Sequence, residues 1–518
     1  MKKVKIITAI FSLMVFLAII VGCTKDFEKI NTDPNNSVAV ETGYLLTFAQ
    51  KNIMDNIRDV WFGGRTTQVL AQHWSQRNYT DEDRYLFRTT VINNAWRVFY
   101  RTMMNLEEII RLNTNEATKD QALASGPNKH QIAVAKILQV YLMSIITDTW
   151  GDAPYSEALK GNQILQPKYD KQEDVYKKMI DELKAASTMI NPADGNLTIG
   201  DIIYNGDMTK WKKFANSLRL RLALRVKTKN PTYLAEAIAL PASSFFESNQ
   251  DNAVFKYLNA APNQGPVYRA FFVDARNDFT IAKPFVELLA GRNDTLNAGK
   301  NNPFFGITDP RIAIWSYRNN DLTSPYFGRY IGMPYGMLET NAKQFSQHCP
   351  DYFNNPSIVH KADFGYTYMD YAEVCFIFSE ANAWNQTWYT KGVRASMEFW
   401  GVPTAQINTH IASIGSANAE KVMTQKYIAL YMQPEQAWFE YRRMDFPKML
   451  IKPGEITHRI YNAAGVPQNL VFEALEGTAI PRRLQYPVEE LGVNKTGYDG
   501  AIVSQGQDLM STKVWWDK

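Results

Sequence analysis

The chain has 518 residues, a formal net charge of +4 and 13% aromatic side chains. So small a charge, with no long run of one sign, excludes a nucleic-acid binder that works by neutralising many phosphates. The length allows a large core, yet many of the 12 Trp, 27 Tyr and 27 Phe lie in polar, Asn- and Gly-rich stretches that a core does not readily absorb, which points to a binding surface.

In chain order, the first predicted element is a leader. Lys2, Lys3 and Lys5 precede the apolar run Ile6 to Val21, which falls short of the roughly 20 residues of a spanning helix and matches the basic start and apolar middle of a secretory signal. Ile20-Val21-Gly22-Cys23 resembles a bacterial lipobox. Residues 1–22 are therefore expected to be a lipoprotein signal peptide and Cys23 the acylated anchor. Each buried CH₂ contributes about 0.8 kcal/mol, so several acyl chains hold firmly where one holds weakly. Loss of the leader removes three lysines and no acid, so the charge falls from +4 to +1.

The mature chain, 23–518, reads as one mainly α domain. Val134, Leu138, Tyr141, Leu142, Ile145 and Ile146 recur at helical spacing, and so do Val175, Met179, Leu183, Ala186 and Ile190. Asp207 is a predicted N-cap for a helix whose inner face is Trp211, Phe214, Ala215, Leu218 and Leu222; Arg219, Arg221, Arg225 and Lys227 near its end read as a solvated charged face. Short connections group the helices into four pairs, 43–60 with 64–78, 90–112 with 130–149, 172–190 with 208–229, and 367–385 with 419–444. They suggest irregular tetratricopeptide-like hairpins without a clean 34-residue period. Two irregular excursions are expected, about 241–365 and about 446–518, where Pro, Gly, Asn and aromatics leave room for loops and short strands.

Enzyme signatures are sparse. The sequence has no Walker loop, no GxSxG, no HExxH and no CxxC, and its six histidines stand singly, so neither a cofactor nor a metal is expected. Glu373 and Glu380, seven residues apart on a helix, are separated by about 10.5 Å along its axis, wider than the roughly 5 to 9.5 Å of glycosidase carboxylate pairs. They read instead as buried carboxylates that need arginines, for which Arg442-Arg443 and Arg482-Arg483 are at hand, tying the last helical hairpin to the C-terminal segment. Asp148 and Asp152 read as structural. An oxidising compartment would permit a Cys349–Cys375 bridge, but the apolar run around Cys375 favours a buried thiol.

Several stretches together, "YLMSIITDTWGDAPYSEAL", "DMTKWKKFANSLRLRLALR", "TDPRIA", "MDYAEVCFIFSEA", "YIALYMQPEQAWFEYRRMDFP" and "IPRRLQYPVEELGVN", resemble in order and spacing the SusD/RagB family of outer-membrane nutrient-binding lipoproteins. The resemblance implies a helical fold of four tetratricopeptide-like units, a cell-surface location through the acylated Cys23, and a non-catalytic role as the lid of a SusC-like TonB-dependent transporter. It implies a glycan or, less often, a peptide as ligand. Alternatives from the residues alone are a peptide or glycoprotein receptor and a surface glycoside-degrading enzyme. The expected ligand site joins Trp74, Arg77 and Tyr79 of the early loop to Trp315, Tyr317, Arg318 and Tyr326 of the central excursion, because polar neighbours leave these aromatics outside any helical core stripe.

Overall fold

Apolar residues at helical spacing become packed faces. The computed structural model describes residues 40–518, so the leader and Cys23 lie outside the described residues. Within the unit Thr42–Lys518, helices α1 (Thr42–Ile57), α2 (Thr89–Thr114), α3 (Asn128–Trp150), α4 (Gln172–Met189) and α5 (Met208–Arg225) follow one another, each packed on the next. Helix α3 is apolar all round because it is enclosed all round, with every residue from Val140 to Trp150 buried. Asp207 caps α5 as its position predicts, accepting from the amides of Thr209 at 2.9 Å and Lys210 at 3.2 Å. The fold is mainly α, an irregular tetratricopeptide-like array carrying large loop excursions.

Two pairs differ from expectation. In place of a helix over 64–78 the chain forms a π-helical segment, Val60–Gln68, and then strand β1 (Trp74–Gln76). Asp59 starts the π turn by accepting from the amides of Trp61 and Gly63, and a Cβ at Gly63 would lie 2.9 Å from the Ile57 carbonyl, so only glycine permits that approach. The fourth pair is interrupted: between α6 (Tyr371–Ala381) and α9 (Ala419–Ala429) stand α7 (Gln386–Phe399) and α8 (Thr404–Ser413), and α10 (Pro434–Met444) follows. Ala383 and Trp384 take left-handed φ of 54° and 64°, ending α6, and Asn385 caps α7. Helix α6 packs on both α7 and α9 and reaches back to α5, while α10 closes onto the π segment.

The irregular stretches carry three antiparallel strand pairs. β1 pairs with β3 (Phe279–Ile281), β2 (Ala253–Lys256) with β4 (Gly365–Met369), and β5 (Ile456–Tyr461) with β6 (Pro467–Val471). Cys349 and Cys375 are free and buried, and burial pushes both thiols up to about 12.

The arginines of α5 are not solvated. Arg219, Arg221 and Arg225 are all buried; Arg219 reaches Glu236 in the next helical segment at 3.2 Å, and the acids that neutralise Arg221 and Arg225 come from distant helices. Arg221 forks onto Glu373, Nε to Oε1 at 2.9 Å, so Glu373 draws its partner from α5. Arg225 reaches Asp148 at 2.5 Å and Glu440 at 3.1 Å. Glu380 does take Arg443, through two 2.6 Å contacts, and Lys227 at 2.7 Å. Arg442 binds backbone instead: it donates to the carbonyls of Arg482 and Asp148 and lies 4.0 Å from the Trp438 ring. Arg482 pairs with Asp517 and Arg483 with Asp508 at 2.9 Å, fastening the C-terminal segment.

Candidate functional site

The β1/β3 ladder lays the early loop against the central excursion. Arg77 extends the ladder, its amide donating to the Asp278 carbonyl at 2.7 Å, and its guanidinium reaches Asn277 Oδ1 at 3.0 Å and Asp351 Oδ1 at 3.3 Å. Asp351 also accepts from Asn277 Nδ2 at 2.9 Å and Asn354 Nδ2 at 2.7 Å, and its own amide donates to the Tyr317 hydroxyl. Burial works against this carboxylate, but the Asn354 hydrogen bond, the Arg77 charge and the Asn277 hydrogen bond hold it below its ordinary range.

Beside this knot, Tyr79 is 48% exposed and takes a left-handed φ of 53°, a conformation that costs an L residue about 1–2 kcal/mol. Its ring lies 5.9 Å from both the Arg65 guanidinium and the Lys343 ammonium, contacts that hold the ring in place. Arg65 is buried, pairing with Asp278 at 2.6 Å and Glu82 at 3.2 Å. It also lies 5.3 Å from the half-buried Trp61 ring, which Arg276 covers at 5.1 Å. On the other flank Phe353, 41% exposed, stacks on Phe272 with centroids 6.0 Å apart. Tyr79 and Phe353 thus leave ring surface exposed in a region rich in Arg, Asn, Lys and Asp side chains. Such planes accept the apolar C–H side of a pyranose while the flanking amides and charges satisfy its hydroxyls.

The expected site residues divide. Arg77 and Tyr317 meet at Asp351, and Tyr79 stands beside them. Arg318 is exposed but turned to its own loop, donating to the Gly328 carbonyl at 2.7 Å and covering Tyr330 at 4.6 Å. Tyr326 packs on Phe345 at 5.7 Å and His348 at 5.1 Å, in a small satellite core. Two expectations need correction. Trp74 is 2% exposed, donating Nε1–H to the Tyr431 hydroxyl at 3.1 Å, and Trp315 is 0% exposed, packed on Tyr431, Trp400 and Phe285. The indoles fill a shared aromatic core that takes in even the neighbouring His73, which packs on Phe285, Tyr427 and Tyr431, so neither offers a face to a ligand. The residues missed, Trp61, Phe272, Arg276, Asn277, Asp351 and Phe353, left a partial trace: "PDYFNN" (350–355) has the same Pro, Asn and aromatic density that drew attention to 301–337.

Among the described residues no group of three or more His, Cys, Asp or Glu side chains is placed to hold a metal ion. Helix α3 is long and apolar enough to cross a membrane but is spent on the core.

A tetratricopeptide-like array with an irregular, aromatic-edged loop face defines a class of helical repeat scaffolds. Residues 34–487 match the SusD-like family described as starch-binding and associating with the outer membrane, and the chain belongs to that family. Among solved structures it is similar to a chitin-binding protein, with 24% identity and a TM-score of 0.73 over 92% of this chain and 100% of the other. A chitin-binding SusD homologue from Flavobacterium johnsoniae is 21% identical, with a TM-score of 0.70 over 92% and 98%. A SusD homologue from Parabacteroides distasonis is also 21% identical, with a TM-score of 0.73 over the same shares. A search of curated proteins matches none.

Proposed function

We propose that this chain is a non-catalytic receptor that captures oligosaccharides on the outer-membrane surface and passes them to a SusC-like TonB-dependent transporter. The observation that carries the reading is the exposed face of Tyr79 and Phe353, edged by Arg276, Asn277, Asn354 and Lys343, on a scaffold whose family is described as starch-binding. Structural relatives named as chitin-binding support a sugar over a peptide. The lipobox at Cys23 supports a lipid tether in the outer membrane, and near-neutral charge fits an uncharged glycan chain on this face.

The test is a panel of neutral oligosaccharides titrated against the protein by calorimetry. An aromatic anchor typically costs at least about 2 kcal/mol when truncated, roughly thirtyfold in affinity. Tyr79→Ala and Phe353→Ala should each weaken binding by that order with little change in melting temperature, since both residues are exposed rather than part of the core. Binding untouched in both variants refutes the site; new reducing ends, abolished by one Asp or Glu substitution, refute the receptor.

A further inference from the structure

A cavity of about 340 Å³ opens behind Trp61, between the start of the π segment and the first turns of α2. Its wall is the Trp61 ring and Phe62; Asn56, Asp59, Arg88 and Asn94 supply polar groups. At the small end of the range for ligand pockets, it suits one or two sugar rings rather than a running chain. The same Trp61 borders the open aromatic face through Arg65 and Arg276, at 5.3 and 5.1 Å.

The polar groups are only partly spent. Arg88 gives Nε to Glu82 at 2.7 Å, leaving both terminal guanidinium nitrogens without a partner among the described residues. Asn56 uses its amide on the Asn52 carbonyl at 2.8 Å, keeping its oxygen free to accept, and the exposed Asn94 side chain has no partner among the described residues. Asp59 accepts through one oxygen only, from Trp61 and Gly63.

Charges of both signs surround the cavity. Burial pushes Asp59 up to about 7, against the pull of the amides of Gly63, Phe62 and Trp61. Glu82 and Asp278 pair with the guanidiniums of Arg65, Arg88 and Arg276. The Arg88 guanidinium, with its terminal fork free beside an indole wall, matches a planar carboxylate carried on a sugar ring.

We propose that this cavity is a separate subsite for the acidic end of a glycan, a uronate or similar carboxylate-bearing sugar, with Arg88 holding the carboxylate, Trp61 the ring face, and Asn56 and Asn94 the hydroxyls. The proposal rests on the receptor reading for its sugar chemistry but not on the Tyr79 face.

The test uses the full chain in detergent, with digalacturonate, its dimethyl ester and neutral diacetylchitobiose as probes in calorimetry. Digalacturonate should bind at least about tenfold tighter than its ester, and Arg88→Gln should remove that difference. Asn94→Trp, at an exposed helix position, should fill the cavity and abolish digalacturonate binding without unfolding the protein. Equal affinity for acid and ester, no binding of digalacturonate at all, or a preference surviving both variants overturns the subsite. Neutral-sugar binding lost in Tyr79→Ala but unchanged in Arg88→Gln would leave the receptor reading standing if the subsite fails. An acid preference lost in Arg88→Gln, with neutral binding indifferent to Tyr79→Ala, would leave the subsite standing if the open face fails.

Discussion

Arg221 shows how a single residue is decided by its partner. Taken alone on α5 it is a charge near a helix end, but in the fold it lies against Glu373 of α6, with a further bond to the Tyr368 carbonyl at 3.3 Å. Removing one member of a buried pair leaves an uncompensated charge, at a cost of about 3–5 kcal/mol, whereas replacing both with apolar residues is often nearly neutral. Arg221→Met should therefore lose about that much stability in denaturant melts, and Arg221→Met with Glu373→Leu should recover most of it. A single mutant as stable as the parent would place the pair's charges in solvent.

At the scale of the element, the early loop is held by a hydrogen-bonded carboxyl. Asp83 accepts from the Ser75 hydroxyl at 2.5 Å and the Gln76 amide at 2.9 Å, and Gln76 returns a contact to the Asp83 amide at 3.0 Å. Burial, opposed by the Ser75 and Gln76 hydrogen bonds, pushes Asp83 up to about 7. A folded value raised above the unfolded one means that the native state holds its proton longer. This stability is complete below the unfolded value of 3.8 and is lost as pH rises through about 7. Asp83→Asn lacks that titration. Its melting temperature relative to the parent should climb from pH 4 to about 7 and level off above; a difference that stays flat across the range would show Asp83 ionised throughout.

At the scale of the whole molecule, charge networks join helices far apart in sequence. Glu440 of α10 meets Arg225 of α5, Lys426 of α9 at 3.0 Å and Arg443 at 2.7 Å. Burial opposes its charge, yet Arg443, Lys426 and Arg225 together hold it well below the ordinary glutamate range. The proposed lipid tether is Cys23. Cys23→Ala should release the chain from membranes or leave it unprocessed, and should stop its co-purification with a transporter in gentle detergent. Palmitate labelling that persists in the variant would refute the lipobox.

Periodicity and capping were legible in the sequence because they are local: the stripes of α3, α4 and α5, the Asp207 cap and the irregular central excursion all follow from spacing and side-chain chemistry within a few residues. The family motifs placed the fold as well, since they span nearly the whole chain. Other features depended on contacts between residues hundreds of positions apart, which no local pattern encodes. Trp74 and Tyr79 lie five residues apart in the same polar stretch, yet the first meets Tyr431 in the core and the second faces solvent. Arg225 reads as a surface charge until α10 and the end of α3 bring Glu440 and Asp148 to it. Sequence determined most of the helical segments, though not the π segment and strand that stand in place of a helix over 64–78; only the tertiary structure decided that the core takes up most of the aromatics and which few remain outside, because burial is a property of what packs on a residue and not of its neighbours in the chain.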